Sequence, residues 1–151
     1  MWQNYLRRCD EHSLMRFIVC IDEHEQSLNA LRHASTMAEA VNGSLTLVHS
    51  AVPAVKEDHG ELIQESFEES VSGGHEILER AKKLIPDTVG INTVLLDSDD
   101  PIEAVLSYAT EEQVDGIFLG HRALNQRQEQ LYGSFAKDII SSSSIPVTVV
   151  S

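Results

Sequence analysis

Five short apolar runs alternate along this chain with stretches whose apolar residues recur every three or four positions. The runs are Phe17-Ile18-Val19-Cys20-Ile21, Ser44-Leu45-Thr46-Leu47-Val48-His49, Ile91-Asn92-Thr93-Val94-Leu95-Leu96, Ile117-Phe118-Leu119 and Pro146-Val147-Thr148-Val149-Val150. Between them, Leu28, Leu31, Ala34, Ala38 and Val41 fall at helical spacing. So do Leu62, Phe67, Val71, Ile77, Leu78, Ala81 and Leu84, then Ile102, Val105, Leu106 and Ala109, and a last helix is expected over 134–142. Near-continuous apolar runs suit strands covered on both faces, and strand–helix alternation implies parallel pairing. The fold class is therefore α/β: a single five-stranded parallel sheet with helices on both faces. A length of 151 residues suits one such domain, and no repeat or low-complexity linker divides it.

Local signals set the boundaries. Gly43 is a helix stop after the first helical stretch, and Asp99-Asp100-Pro101 is an N-cap and first-turn signature. Residues 51–60, with Pro53, read as a loop, and 61–85 read as one helix that Ser72-Gly73-Gly74 would kink and Pro86 ends. Residues 1–14 carry no clear periodicity. The domain is expected over 15–151, with 1–14 either an extension or a helical stripe (Trp2, Tyr5, Leu6) docked on it.

No apolar run nears the roughly 20 residues a spanning helix needs. The N-terminus is polar, without a signal-peptide core. A cytoplasmic location follows as the expectation. Cys9 and Cys20 make no redox or metal motif, and the 7 histidines lack ligand spacing, so no metal site is assigned. The formal net charge of −13 argues against nucleic-acid and anionic-membrane partners, whose phosphates it would repel. Lysine appears only at Lys56, Lys82, Lys83 and Lys137. Such a surface fits salt adaptation or ordinary solubilising charge equally.

In a parallel sheet, ligands bind beyond the carboxyl ends of the strands, where the strand order reverses. Asp22, His49, Asp97 and Gly120 each follow a strand. Asp22 is succeeded by Glu23-His24-Glu25 rather than glycines, which rules against a dinucleotide fingerprint or P-loop at that turn. Its carboxylate suits an adenine amino group or ribose hydroxyl, or else the capping of the next helix. The segment 120–134 joins a strand to a helix through Gly120, Gly133 and Ser134. It also holds His121, Arg122 and Arg127 against the single acid Glu129. That composition makes a phosphate cradle or, equally, a surface turn.

These marks together resemble the universal stress protein family over residues 15–151. They are Ile21-Asp22, Ser27-Leu28-Asn29-Ala30-Leu31, Val48-His49, Asp99-Asp100-Pro101, Gly120-x-x-Ala123-x9-Gly133-Ser134 and the closing Ile145-Pro146-Val147-Thr148-Val149-Val150. The resemblance implies strand order 3-2-1-4-5, an adenine-nucleotide α-hydrolase-like fold, and a homodimer through the last strand, residues 146–150. It implies ATP or a related adenine nucleotide as ligand, with Mg²⁺ accompanying a triphosphate. Asp22, Val48 and His49 would face the adenosine. Leu119, Gly120, Arg122, Ala123, Gly133 and Ser134 would face ribose and phosphates, and Arg127 would add charge. The chain departs from the family's Gly-x-x-Gly-x9-Gly-Ser/Thr motif at Ala123. If that position needs positive φ, alanine costs roughly 1 kcal/mol. Phe135 replaces the hydroxyl often found after Ser134.

No residue set reads as catalytic, and any ATP hydrolysis is expected to be slow and incidental. Two other readings compete. One is a structural dimerisation module of the same family without nucleotide. The other is a phospho-acceptor receiver domain using Asp22, Glu23 and Asp97, disfavoured because Ile145 stands where a lysine would precede Pro146.

Overall fold

The computed structural model describes residues 14–51, 55–64, 66–121 and 135–151. The elements run β1 Arg16–Cys20, α1 Glu25–Ala40, β2 Ser44–Ala51, β3 Val55–Asp58, β4 Glu61–Gln64, α2 Phe67–Lys82, β5 Gly90–Asp97, α3 Pro101–Glu111, β6 Gly116–Gly120, α4 Phe135–Ser142 and β7 Val147–Val150. The main sheet has 5 strands in the order β5-β2-β1-β6-β7, all parallel. Counting sheet strands alone, this is the 3-2-1-4-5 order that the resemblance implies. Helices α1 and α2 cover one face, and α3 and α4 the other.

Each face has its own apolar cluster. Phe17, Val19, Leu45, Leu47 and Phe118 pack beneath Ala30, Leu31, Ala34 and Leu78. Ile18, Val48, Ile117 and Leu119 pack against Val105, Ala109, Ala136 and Ile139. Strand side chains alternate between faces, which is why both odd and even positions of β1 and β6 must be apolar.

Residues 55–64 depart from the sequence expectation. They form an antiparallel two-stranded hairpin in place of loop and helix, pairing Val55 with Gln64 and Asp58 with Glu61. His59 (φ 49°) and Gly60 (φ 84°) make its two-residue turn. Positive φ at both central residues matches the right-handed twist of the strands. The following helix starts only at Phe67, where Ser66 Oγ accepts from the Glu69 N–H at 3.2 Å and Glu69 Oε2 accepts from the Ser66 N–H at 3.1 Å. Such a reciprocal cap satisfies two N–H groups that a helix start leaves orphaned.

Two glycine expectations also change. Helix α2 runs unbroken through Gly73 and Gly74. Gly74 is there for closeness: a Cβ would meet Leu95 Cδ1 at 2.6 Å and His49 Cδ2 at 2.8 Å. At the end of α1 the left-handed residue is Asn42 (φ 53°), not Gly43. The Gly43 N–H closes the helix by donating to Ala38 O at 2.7 Å, and a Cβ on Gly43 would sit 2.6 Å from Met15 O. Among the described residues no helix is long and apolar enough to cross a membrane.

A cleft at the strand-order switch

The strand order reverses at β1, with β2 and β5 on one side and β6 and β7 on the other. The carboxyl ends of β1, β2 and β6 open there into a cleft of about 260 Å³, near the lower end of small-ligand sites (roughly 300–1,000 Å³). Asp22, Val48, His49, Leu119 and Gly120 all line it. The remaining expected residues, Arg122, Ala123, Arg127, Gly133 and Ser134, lie outside the described residues, as do 1–13.

One wall is the turn from β1 into α1. Asp22 Oδ1 accepts from the His24 N–H at 2.7 Å, an Asx turn that sharpens the chain's exit from the strand. The buried Ser27 hydroxyl accepts from the Asp22 N–H at 3.2 Å and lies 3.1 and 2.9 Å from the carbonyls of Asp22 and His24. His24 is the N-cap residue of α1 and makes no side-chain cap. Asp22 thus serves the turn and still presents an exposed carboxylate with unused acceptor sites.

His49 Nδ1 lies 2.7 Å from Ile21 O. A carbonyl only accepts, so Nδ1 carries a proton and donates it in a hydrogen bond to Ile21 O. The same joint is tied by the Ile21 N–H donating to Val48 O at 2.8 Å. Gly120 proves to be a packing requirement. A Cβ there would collide with the backbone of Gln26 and Ser27, so β6 reaches the first turn of α1 only without a side chain.

The opposite wall escaped the sequence reading. Pro101 and Val105 of α3 and Phe135 at the start of α4 close it, with Cys20 and Ser50 between. Burial, and secondarily the charge of Asp22, pushes the Cys20 thiol up to about 12, which keeps it protonated at neutral pH. Ser50 Oγ is sealed from solvent without a hydrogen-bond partner among the described residues. An unmade buried hydroxyl costs roughly 1–3 kcal/mol. The alternation of β2 was the available signal for Ser50, two positions from Val48. Helix positions such as Val105 gave none, because only tertiary packing brings them here.

The receiver reading fails on topology. Asp97 ends β5, opposite Ala51 of β2, and β2 separates it from β1 and Asp22. A receiver sheet places its third strand beside its first. The α3 cap matches expectation: Asp100 Oδ1 accepts from the Glu103 N–H at 3.1 Å, with Pro101 in the first turn. Among the described residues no group of three or more His, Cys, Asp or Glu is arranged to hold a metal.

The universal stress protein family model matches residues 14–151. This chain belongs to the universal stress protein family. It is similar to the stress response protein NhaX of Bacillus subtilis (strain 168), 24% identical over 160 aligned positions covering 89% of this chain and 96% of that protein. Among solved structures, a universal stress protein in complex with cAMP superposes with TM-score 0.70 at 21% identity, covering 91% of this chain and 97% of the other. The Archaeoglobus fulgidus universal stress protein in complex with dAMP gives TM-score 0.66 at 20% identity, covering 91% and 98%.

Proposed function

We propose that this universal stress protein binds an adenine nucleotide in the cleft at the strand-order switch. The reading rests on one observation: Asp22, Val48, His49, Leu119 and Gly120, from three strand ends, line a single cleft. The cleft's composition suits the ligand. Val48, Leu119, Val105 and Phe135 offer apolar surface to a base, and Asp22 offers acceptor sites to a ribose. The volume suits base and sugar, which leaves the phosphates to the segment carrying Arg122, Ala123, Arg127, Gly133 and Ser134. Two family members of the same fold hold cAMP and dAMP, which supports the ligand class. ATP with Mg²⁺ is the form this basic segment would serve in a chain of net charge −13.

Calorimetric titration with ATP, with and without Mg²⁺, tests the reading; no affinity tighter than millimolar for ATP or AMP would sink it. Ala123→Gly is expected to tighten ATP binding several-fold by easing the backbone toward phosphate.

The same proposal includes a homodimer through 146–150. Among the described residues β7 pairs only with β6, and Val149 is 39% exposed on that strand. An unprotected apolar edge invites a second strand. Val149→Glu, which sets like charges across a two-fold axis, should turn the dimer into monomer by light scattering. A wild-type protein that runs as a monomer would overturn this part.

Ala123 and Phe135 favour the second reading, a structural module without nucleotide. Mass spectrometry of small molecules released from freshly purified, heat-denatured protein separates the two, since co-purified adenine nucleotide rejects the second.

A further inference from the structure

Resting on the nucleotide reading above, we propose that the Ser50 hydroxyl reads the hydrogen-bonding edge of the base and so helps set which base this site accepts. The polar side chains of the facing wall are engaged by the fold: Asp22 Oδ1 with His24, Ser27 Oγ with Asp22 and His24, and His49 Nδ1 with Ile21. Ser50 differs. It lines the cleft, yet its Oγ has no partner among the described residues. In the β2–β5 ladder it lies opposite Leu96, so the register brings it no polar neighbour on that side.

The surroundings define what the hydroxyl can meet. Val48, Pro101, Val105, Leu119 and Phe135 make an apolar slot that suits a flat heteroaromatic ring. A hydroxyl donates one hydrogen bond and accepts two, and the partner assigned to it here is the exocyclic amino group of the base, from which Ser50 Oγ accepts. Reaching the base requires the hydroxyl to turn from its closed-off position into the cleft, one rotation between staggered wells. A buried polar group left unpaired in the free protein and paired in the complex contributes to affinity and to discrimination together.

The experiment is a cycle on the full chain. Wild type, Ser50→Ala and Ser50→Thr are titrated with AMP and with purine riboside 5′-monophosphate, which lacks the 6-amino group. Ser50→Ala is expected to weaken AMP binding about fivefold while raising the melting temperature of the free protein. Ser50→Thr, which keeps the hydroxyl, should retain AMP binding. The penalty for losing the amino group should shrink in Ser50→Ala. If wild type binds AMP and Ser50→Ala binds it equally, the assignment to Ser50 is overturned alone. Additive effects of the two changes, or a lower melting temperature for free Ser50→Ala, overturn it too. Failure of wild type to bind either nucleotide overturns the nucleotide reading and this assignment with it.

Discussion

The two walls of the cleft are built on opposite principles. The β1–α1 wall is polar and closed upon itself. Ser27 and Asp22 hold the turn through hydrogen bonds to neighbouring backbone, and the ring of His49 bonds Ile21 from the adjacent strand. The α3–α4 wall is apolar, assembled from residues distant in sequence, and its one serine is left unbonded among the described residues. Polar groups engaged with backbone fix geometry. An apolar wall with one uncommitted hydroxyl leaves its hydrogen bond for something that enters. The difference separates the part of the site that shapes it from the part that is open to selecting its occupant.

Three experiments break or sharpen that contrast. The largest effect is expected at Gly120, where β6 meets the closed wall. Gly120→Ala forces a Cβ into the backbone of Gln26 and Ser27, and overpacking of this kind costs about 3 kcal/mol. Melting should fall by roughly 10 °C in a chain of this size. A shift under 2 °C would show that the joint yields and that the closed wall is not rigid.

Ser27→Ala comes next. It leaves the Asp22 N–H without its acceptor, an expected loss of about 1–2 kcal/mol in denaturant unfolding. AMP binding should weaken with it, because the Asp22 turn loosens. Weakened stability with untouched affinity would mean that Asp22 holds its place without Ser27.

The smallest effect concerns Cys20 on the open wall. Its thiol, raised to about 12 from 9.0, stays protonated in the folded protein while an unfolded chain ionises. The stability owed to it is whole below pH 9 and declines as pH climbs from 9 toward 12. In a Cys9→Ser background, thiol labelling at pH 8 should be negligible until the protein unfolds. Rapid labelling of the native protein would show that this wall opens readily to solvent.

Much of the architecture was legible because it depends on local pattern. The doubly apolar runs around Ile18 and Ile117 required a sheet covered on both faces, and Asp100-Pro101 marked the start of α3. The hairpin was not legible. Leu62 falls at a spacing that also suits a helix with the residues after it, and the turn His59-Gly60 is not the asparagine–glycine pair that usually announces one. The Ser66–Glu69 cap was present in the sequence as Ser-x-x-Glu and would have moved the helix start to Phe67. Half of the cleft was visible because strand ends can be counted along the chain. Pro101, Val105 and Phe135 were not, because their approach to β2 depends on how α3 and α4 cross the sheet. Gly120 lines the cleft, and the sequence did not reveal its second role: the space beside it is taken by the first turn of α1.

The β3–β4 hairpin has a practical consequence. Its strands pair with each other, and among the described side chains none of its residues joins either buried apolar cluster, with Leu62 79% exposed. Its two-residue turn at His59-Gly60 is therefore a natural splice point. A fluorescent reporter or affinity handle grafted there would leave the sheet, the cleft and the last strand as they are, and would give a live readout of where the protein goes and what it assembles with.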